Sequence, residues 1–148
     1  MSANKLRLSA FLPYQLSITS NAVSDLIARA YRGKFALKVP GWRVMALLGE
    51  GDVATQRQLV AATAMDKVTV NRACKALEER DLISRAPNTA DGRSHHLALT
   101  PAGRDLYEQI VPEALSLEAE LETILGSGEA KMLEAMLAQL RARVTELG

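Results

Sequence analysis

A mainly α fold with one small β element is what this sequence predicts, and three observations carry that expectation. Apolar residues recur at spacings of three and four through most of the chain. One stretch, from Leu82 to Leu99, instead holds two short strand-like runs around a cluster of turn residues. Most helix-starting and helix-stopping residues fall between the periodic segments, with Pro112 inside one of them. The 148 residues fit one domain, 1–148, with enough chain to bury a sizeable core. Hydrophobic residues at 48% and charged residues at 24% lie near the globular average, which excludes a disordered tail, a fibre or a disulfide scaffold. No run approaches the roughly 20 consecutive apolar residues of a membrane span. No secretory signal opens the chain and the lone Cys74 has no internal partner, so a cytoplasmic protein with no membrane contact is expected.

The elements follow in order. From Leu8 the positions Phe11/Leu12, Leu16, Ala22/Val23, Leu26/Ile27 and Ala30/Tyr31 share a face, predicting a long first helix with Pro13 near its start. Val39-Pro40 opens a second helix on Trp42, Met45 and Leu48, which stops at Gly49-Glu50-Gly51. Thr55 and Gln58 form a capping box for a third, very short helix ending near Ala62. Asp66 is placed to cap a fourth, whose inner face is Val70, Ala73/Cys74 and Leu77. Two helices joined through Thr63-Ala64-Met65 suggest a helix-turn-helix. The Leu82–Leu99 stretch reads as a hairpin, and Thr100-Pro101 then starts a fifth helix that Pro112 is expected to kink. Gly126-Ser127-Gly128 ends it. The last helix repeats Leu133, Met136/Leu137, Leu140, Val144 and Leu147, close to a heptad seam that needs a partner.

This order is the layout of a winged helix-turn-helix at 36–100 flanked by dimerisation helices at 1–35 and 101–148. Charge agrees with it. Residues 1–54 carry 7 Lys and Arg against 3 Asp and Glu, residues 55–104 carry 8 against 5, and residues 105–148 carry 3 against 9. The first two thirds can therefore approach a polyanion while the last third avoids it. The outward face of the fourth helix offers Lys67, Val68, Asn71, Arg72 and Lys75, with Thr69 near its start. Asn and Arg can read adenine and guanine, Val68 can meet a thymine methyl, and Lys67, Lys75 and the Thr69 hydroxyl suit phosphates. At the hairpin tip Arg93 can enter a narrow minor groove, with Asp91 spaced to hold its guanidinium. Leu8, Phe11 and Leu12 near one end, with Leu133, Leu137, Leu140 and Val144 near the other, exceed what so small a module covers. A homodimer, with two reading heads about one DNA turn apart, would bury them. His95 and His96 are strand neighbours that point to opposite faces, so no metal site is expected, nor any cofactor. No phosphate loop, nucleophile elbow or paired carboxylates suggest an enzyme.

Specific residues also resemble a known family. Trp42-Arg43-Val44, Asp66-Lys67-x-Thr69-Val70-x-Arg72, Leu77-Glu78-x-Arg80-x-Leu82-Ile83, Asp91-x-Arg93-Ser94 and Leu99-Thr100-x-x-Gly103-Arg104 are similar, in this order, to motifs of the multiple antibiotic resistance regulator (MarR) family. The resemblance implies a homodimeric regulator of transcription on double-stranded DNA, with Asp91 and Arg93 at the wing tip. It also implies a small aromatic or carboxylate effector, for which Ser17, Asn21, Trp42 and Arg43 are the candidate lining. Three positions depart from the family pattern: Asp81 where Gly is common after the recognition helix, Val39 in place of a capping residue, and Gly41 in place of a better helix former. Asp tolerates the left-handed conformation such a site needs. Two other readings stay open: a regulator that senses oxidants through Cys74, and a helical adaptor that never meets DNA.

Overall fold

The computed structural model describes residues 5–88 and 94–148. After a 3-10 turn at Leu8–Ala10 come helices α1 (Leu12–Phe35) and α2 (Val39–Gly51), strand β1 (Val53–Thr55), and helices α3 (Gln56–Thr63) and α4 (Lys67–Glu79). Strands β2 (Ile83–Pro87) and β3 (His95–Leu99) follow, then helices α5 (Pro101–Leu125) and α6 (Ser127–Leu147). The expected fold class, a mainly α winged helix, is the one observed.

Two compact units divide the chain, one ending at Glu108 and the other running from Gln109 to Gly148. In the first, Val44, Met45 and Leu48 of α2, Leu59 of α3, and Val70, Cys74 and Leu77 of α4 close a core against Ile83 and Leu97 of the sheet. The sheet has the order β1-β3-β2, antiparallel throughout, with Thr55 opposite His96 and Arg85 opposite Leu97. The third strand, β1, is a correction to the expected two-stranded hairpin. Three residues are too few to show alternation, and Thr55 ends β1 while also capping α3.

The first helix starts later than its apolar pattern suggested. A helix running from Leu8 would drive the Pro13 ring against the Ser9 carbonyl. The chain instead turns once, extends at Phe11, and begins α1 at Leu12 with Pro13 in the first turn, where its missing N–H costs nothing. Asp81 does take the left-handed conformation, at φ 58°, and the Leu82 N–H donates to the Leu77 carbonyl at 2.9 Å to close the end of α4.

Thr100 ties the root of the hairpin to α5. Its N–H donates to the Leu82 carbonyl at 3.0 Å, its hydroxyl donates to the Asp81 carbonyl at 2.6 Å, and that hydroxyl accepts the Gly103 N–H at 3.0 Å. A Cβ at position 103 would overlap the Leu82 carbonyl oxygen, which explains why this helix position is glycine. Helix α5 stays helical through Pro112. Pro112 leaves the carbonyl of Glu108 without its helical donor, and Glu108 is also the last residue of the first unit.

In the second unit α6 buries no residue: Leu137 and Leu140 are half-buried, while Leu133, Met136 and Val144 are exposed. At the other end of the chain Leu8, Phe11 and Leu12 are exposed as well.

Candidate nucleic-acid interface

Helix α4 is built to present one face. Asp66 caps it: one carboxylate oxygen accepts the Thr69 N–H at 2.8 Å and the other accepts the Thr69 hydroxyl at 3.0 Å. These bonds, the backbone one first, hold the Asp66 carboxyl below its usual pKa. Val70, Ala73, Cys74 and Leu77 are buried, which turns Lys67, Val68, Asn71, Arg72 and Lys75 to the surface. Val68 is 58% exposed, a large apolar side chain kept in water on an otherwise polar face.

Three contacts fix this helix in the first unit. At its C-terminus Arg80 donates to the carbonyls of Ala36 at 2.9 Å and Phe35 at 3.2 Å, the last turn of α1. Glu78 accepts from Arg85 of β2 at 2.5 Å and 3.1 Å. Near its N-terminal end the Gln56 amide of α3 donates to the Asn71 side-chain oxygen at 3.1 Å.

Lys67, Val68, Asn71, Arg72 and Lys75 are exposed together on α4, and Thr69 is set apart from them. Thr69 is half-buried and its hydroxyl proton is already given to Asp66, so donating to a phosphate would cost it that bond. Local capping competes with the role that residue type alone suggested. Asp91 and Arg93 lie outside the described residues. Gln56 was absent from the expected set. The capping box identifies it as the first residue of α3, but nothing local signals a partner 15 positions on.

The four residues expected to line an effector pocket have different settings. Trp42 is half-buried in an aromatic group, edge-on to Tyr31 with centroids 5.3 Å apart and stacked on Tyr107 at 6.5 Å. Arg104 lies over the Tyr107 ring at 5.7 Å and donates to the Gly49 carbonyl at 3.1 Å. Arg43, Ser17 and Asn21 are exposed, and the Ser17 hydroxyl donates to the Pro13 carbonyl at 3.1 Å. No hydrogen bond among the described residues joins any two of the four.

Cys74 is fully buried, and burial pushes its thiol up to about 11. His95 is exposed and His96 half-buried on successive positions of β3. Among the described residues Glu118, Glu122 and Glu134 form the group with metal-compatible spacing, an exposed acidic trio of a kind common without a cation. No helix among the described residues is long and apolar enough to cross a membrane.

Comparison with known proteins places this geometry. The MarR family profile matches residues 37–94, from the end of α1 into the wing. The transcriptional repressor NicR of Pseudomonas putida is 30% identical over 91 residues, 62% of this chain and 56% of that protein. The chain spans about 56–65% of the length of the curated relatives it matches. A MarR/EmrR family regulator from Acinetobacter sp. ADP1 superposes with a TM-score of 0.87 at 25% identity, covering 95% of this chain and 99% of the other. Bordetella bronchiseptica BpsR, whose DNA binding is regulated by 6-hydroxynicotinic acid, shares the fold with a TM-score of 0.85 at 22% identity, covering 93% and 98%. The profile match at 37–94 and a fold shared over 95% of the chain make this protein similar to MarR-family regulators of transcription.

Proposed function

We propose that this chain is a sequence-specific, DNA-binding regulator of transcription, not an enzyme, that works in the cytoplasm as a homodimer on a pseudo-palindromic operator. The observation that carries the reading is the exposed face of α4, where two amide- or guanidinium-bearing readers, Asn71 and Arg72, sit between Lys67 and Lys75. Inserted in a major groove, such a face puts the readers at base edges and the lysines at phosphates. Residues 36–100 form the reading module in this account, and Asp91 and Arg93 are assigned to the flanking minor groove.

Residues 1–35 and 101–148 serve dimerisation. The support is the apolar surface left uncovered in the single chain: Leu8 and Leu12 are more than half exposed, as are Met132, Met136 and Val144. A two-fold axis burying these surfaces gives the half-site spacing that palindrome reading needs.

A small aromatic or carboxylate compound is the effector class we assign, by analogy of family and fold. Binding near Trp42 and Arg43 would act by favouring one separation of the two reading heads over another. The buried, protonated Cys74 favours the effector account over the oxidant-sensing one, since the thiolate is the reactive form.

A gel-shift titration tests the reading. Arg72→Ala and Asn71→Ala should each weaken binding to a duplex selected by the wild-type protein, by roughly 1–3 kcal/mol if the contact is bidentate. Arg93→Ala should weaken it at low salt with the fold intact. Unchanged affinity in all three variants sinks the proposal.

A further inference from the structure

We infer that Gln56 is a positioning residue for base reading: by donating to the Asn71 side-chain oxygen it fixes which end of that amide accepts and which donates. The inference rests on the proposed insertion of α4 in a major groove, and deepens it.

Both partners are held by rigid backbone. Gln56 is the first residue of α3, directly after Thr55, whose hydroxyl accepts the Gln58 N–H at 3.2 Å and whose N–H donates to the Gln58 side chain at 2.8 Å. Thr55 is also the last residue of β1, in register with His96 of β3. The start of α3 is thus pinned from the sheet side and from within the helix. Asn71 follows the fully buried Val70 on α4 and precedes Arg72 on the exposed face. The 3.1 Å bond between them therefore links the side chains of two positions whose backbones are held, across the helix-turn-helix.

A lone asparagine amide is nearly symmetric in shape, and rotation about its last torsion exchanges donor for acceptor. Both ends are used when asparagine pairs with a base edge that sets an acceptor beside a donor, as adenine does. One lone pair of the Asn71 oxygen is taken by Gln56. The other lone pair and both amide hydrogens remain for the groove. The tether does not consume the reading function. It selects one of two orientations before DNA arrives, which lowers the ordering cost of binding the matching base and raises that of the wrong one.

Gln56→Met keeps side-chain length and helix propensity while removing the donor. The probe is the duplex enriched by the wild-type protein from a randomised pool, with variants of it changed at the base pair where Asn71→Ala alters preference. Circular dichroism checks that each variant folds. Gln56→Met should reduce discrimination at that base pair by about five- to tenfold. It should leave affinity for a scrambled duplex unchanged, and should have no further effect on discrimination in an Asn71→Ala background. A uniform affinity loss across all sequences, or an equal loss in the Asn71→Ala background, would make Gln56 a phosphate contact or a folding residue and overturn the inference. An enrichment with no consensus, or one indifferent to Asn71→Ala, would instead overturn the DNA reading by α4 from which it follows.

Discussion

Gly103→Ala isolates the junction that joins the wing root to α5. The new Cβ would overlap the Leu82 carbonyl oxygen, and that oxygen accepts the Thr100 N–H at 3.0 Å. Backbone must move, because the obstructing atom is not the end of a flexible side chain. Steric overpacking of this kind costs about 1–3 kcal/mol. Loosening the Thr100 bond adds about 1 kcal/mol. Alanine's better helix propensity returns about 1 kcal/mol, so the net expectation is a loss of about 1–3 kcal/mol. Gly33→Ala is the control: it also lies inside a helix, but a Cβ there meets nothing within 4 Å. It should gain up to about 1 kcal/mol. Urea unfolding followed by circular dichroism, at matched protein concentration, reads both. The two variants must move in opposite directions. A Gly103→Ala protein as stable as Gly33→Ala would refute the Leu82–Thr100–Gly103 junction.

Two further outcomes are expected. Because burial holds the Cys74 thiol near 11, it is protonated throughout the physiological range, so a thiol alkylator at pH 8 should label Cys74 only in denaturant; rapid labelling of the native protein would contradict the packing. Leu133→Glu with Val144→Glu, both exposed in the single chain, should convert a species of twice the 16.0 kDa chain mass to a monomer in sedimentation while helicity persists; a wild-type monomer at micromolar concentration would refute the dimer.

Local signals made most of the helix-turn-helix legible. The cap at Asp66, the buried set Val70, Ala73, Cys74 and Leu77, and the left-handed Asp81 each depend on residues within one or two helical turns. The sequence shows such patterns directly. Signals that needed a distant partner were not legible. Strand β1 exists because β3 pairs with it, Gln56 matters because Asn71 lies across the turn, and Trp42 meets Tyr31 and Tyr107 from two other helices. Thr69 shows a different failure. Its hydroxyl was available in principle to phosphate, and the nearer acceptor on Asp66 took it.

Salt dependence on two duplexes tests the central claim most directly. Fluorescence anisotropy should give a selected operator an advantage of at least about a thousandfold over a scrambled duplex of equal length. Affinity for both should fall steeply as salt rises, by about 0.9 in log-log slope for each phosphate neutralised. Equal affinity for the two duplexes, or binding indifferent to salt, would contradict a protein that reads bases from α4 between two lysines.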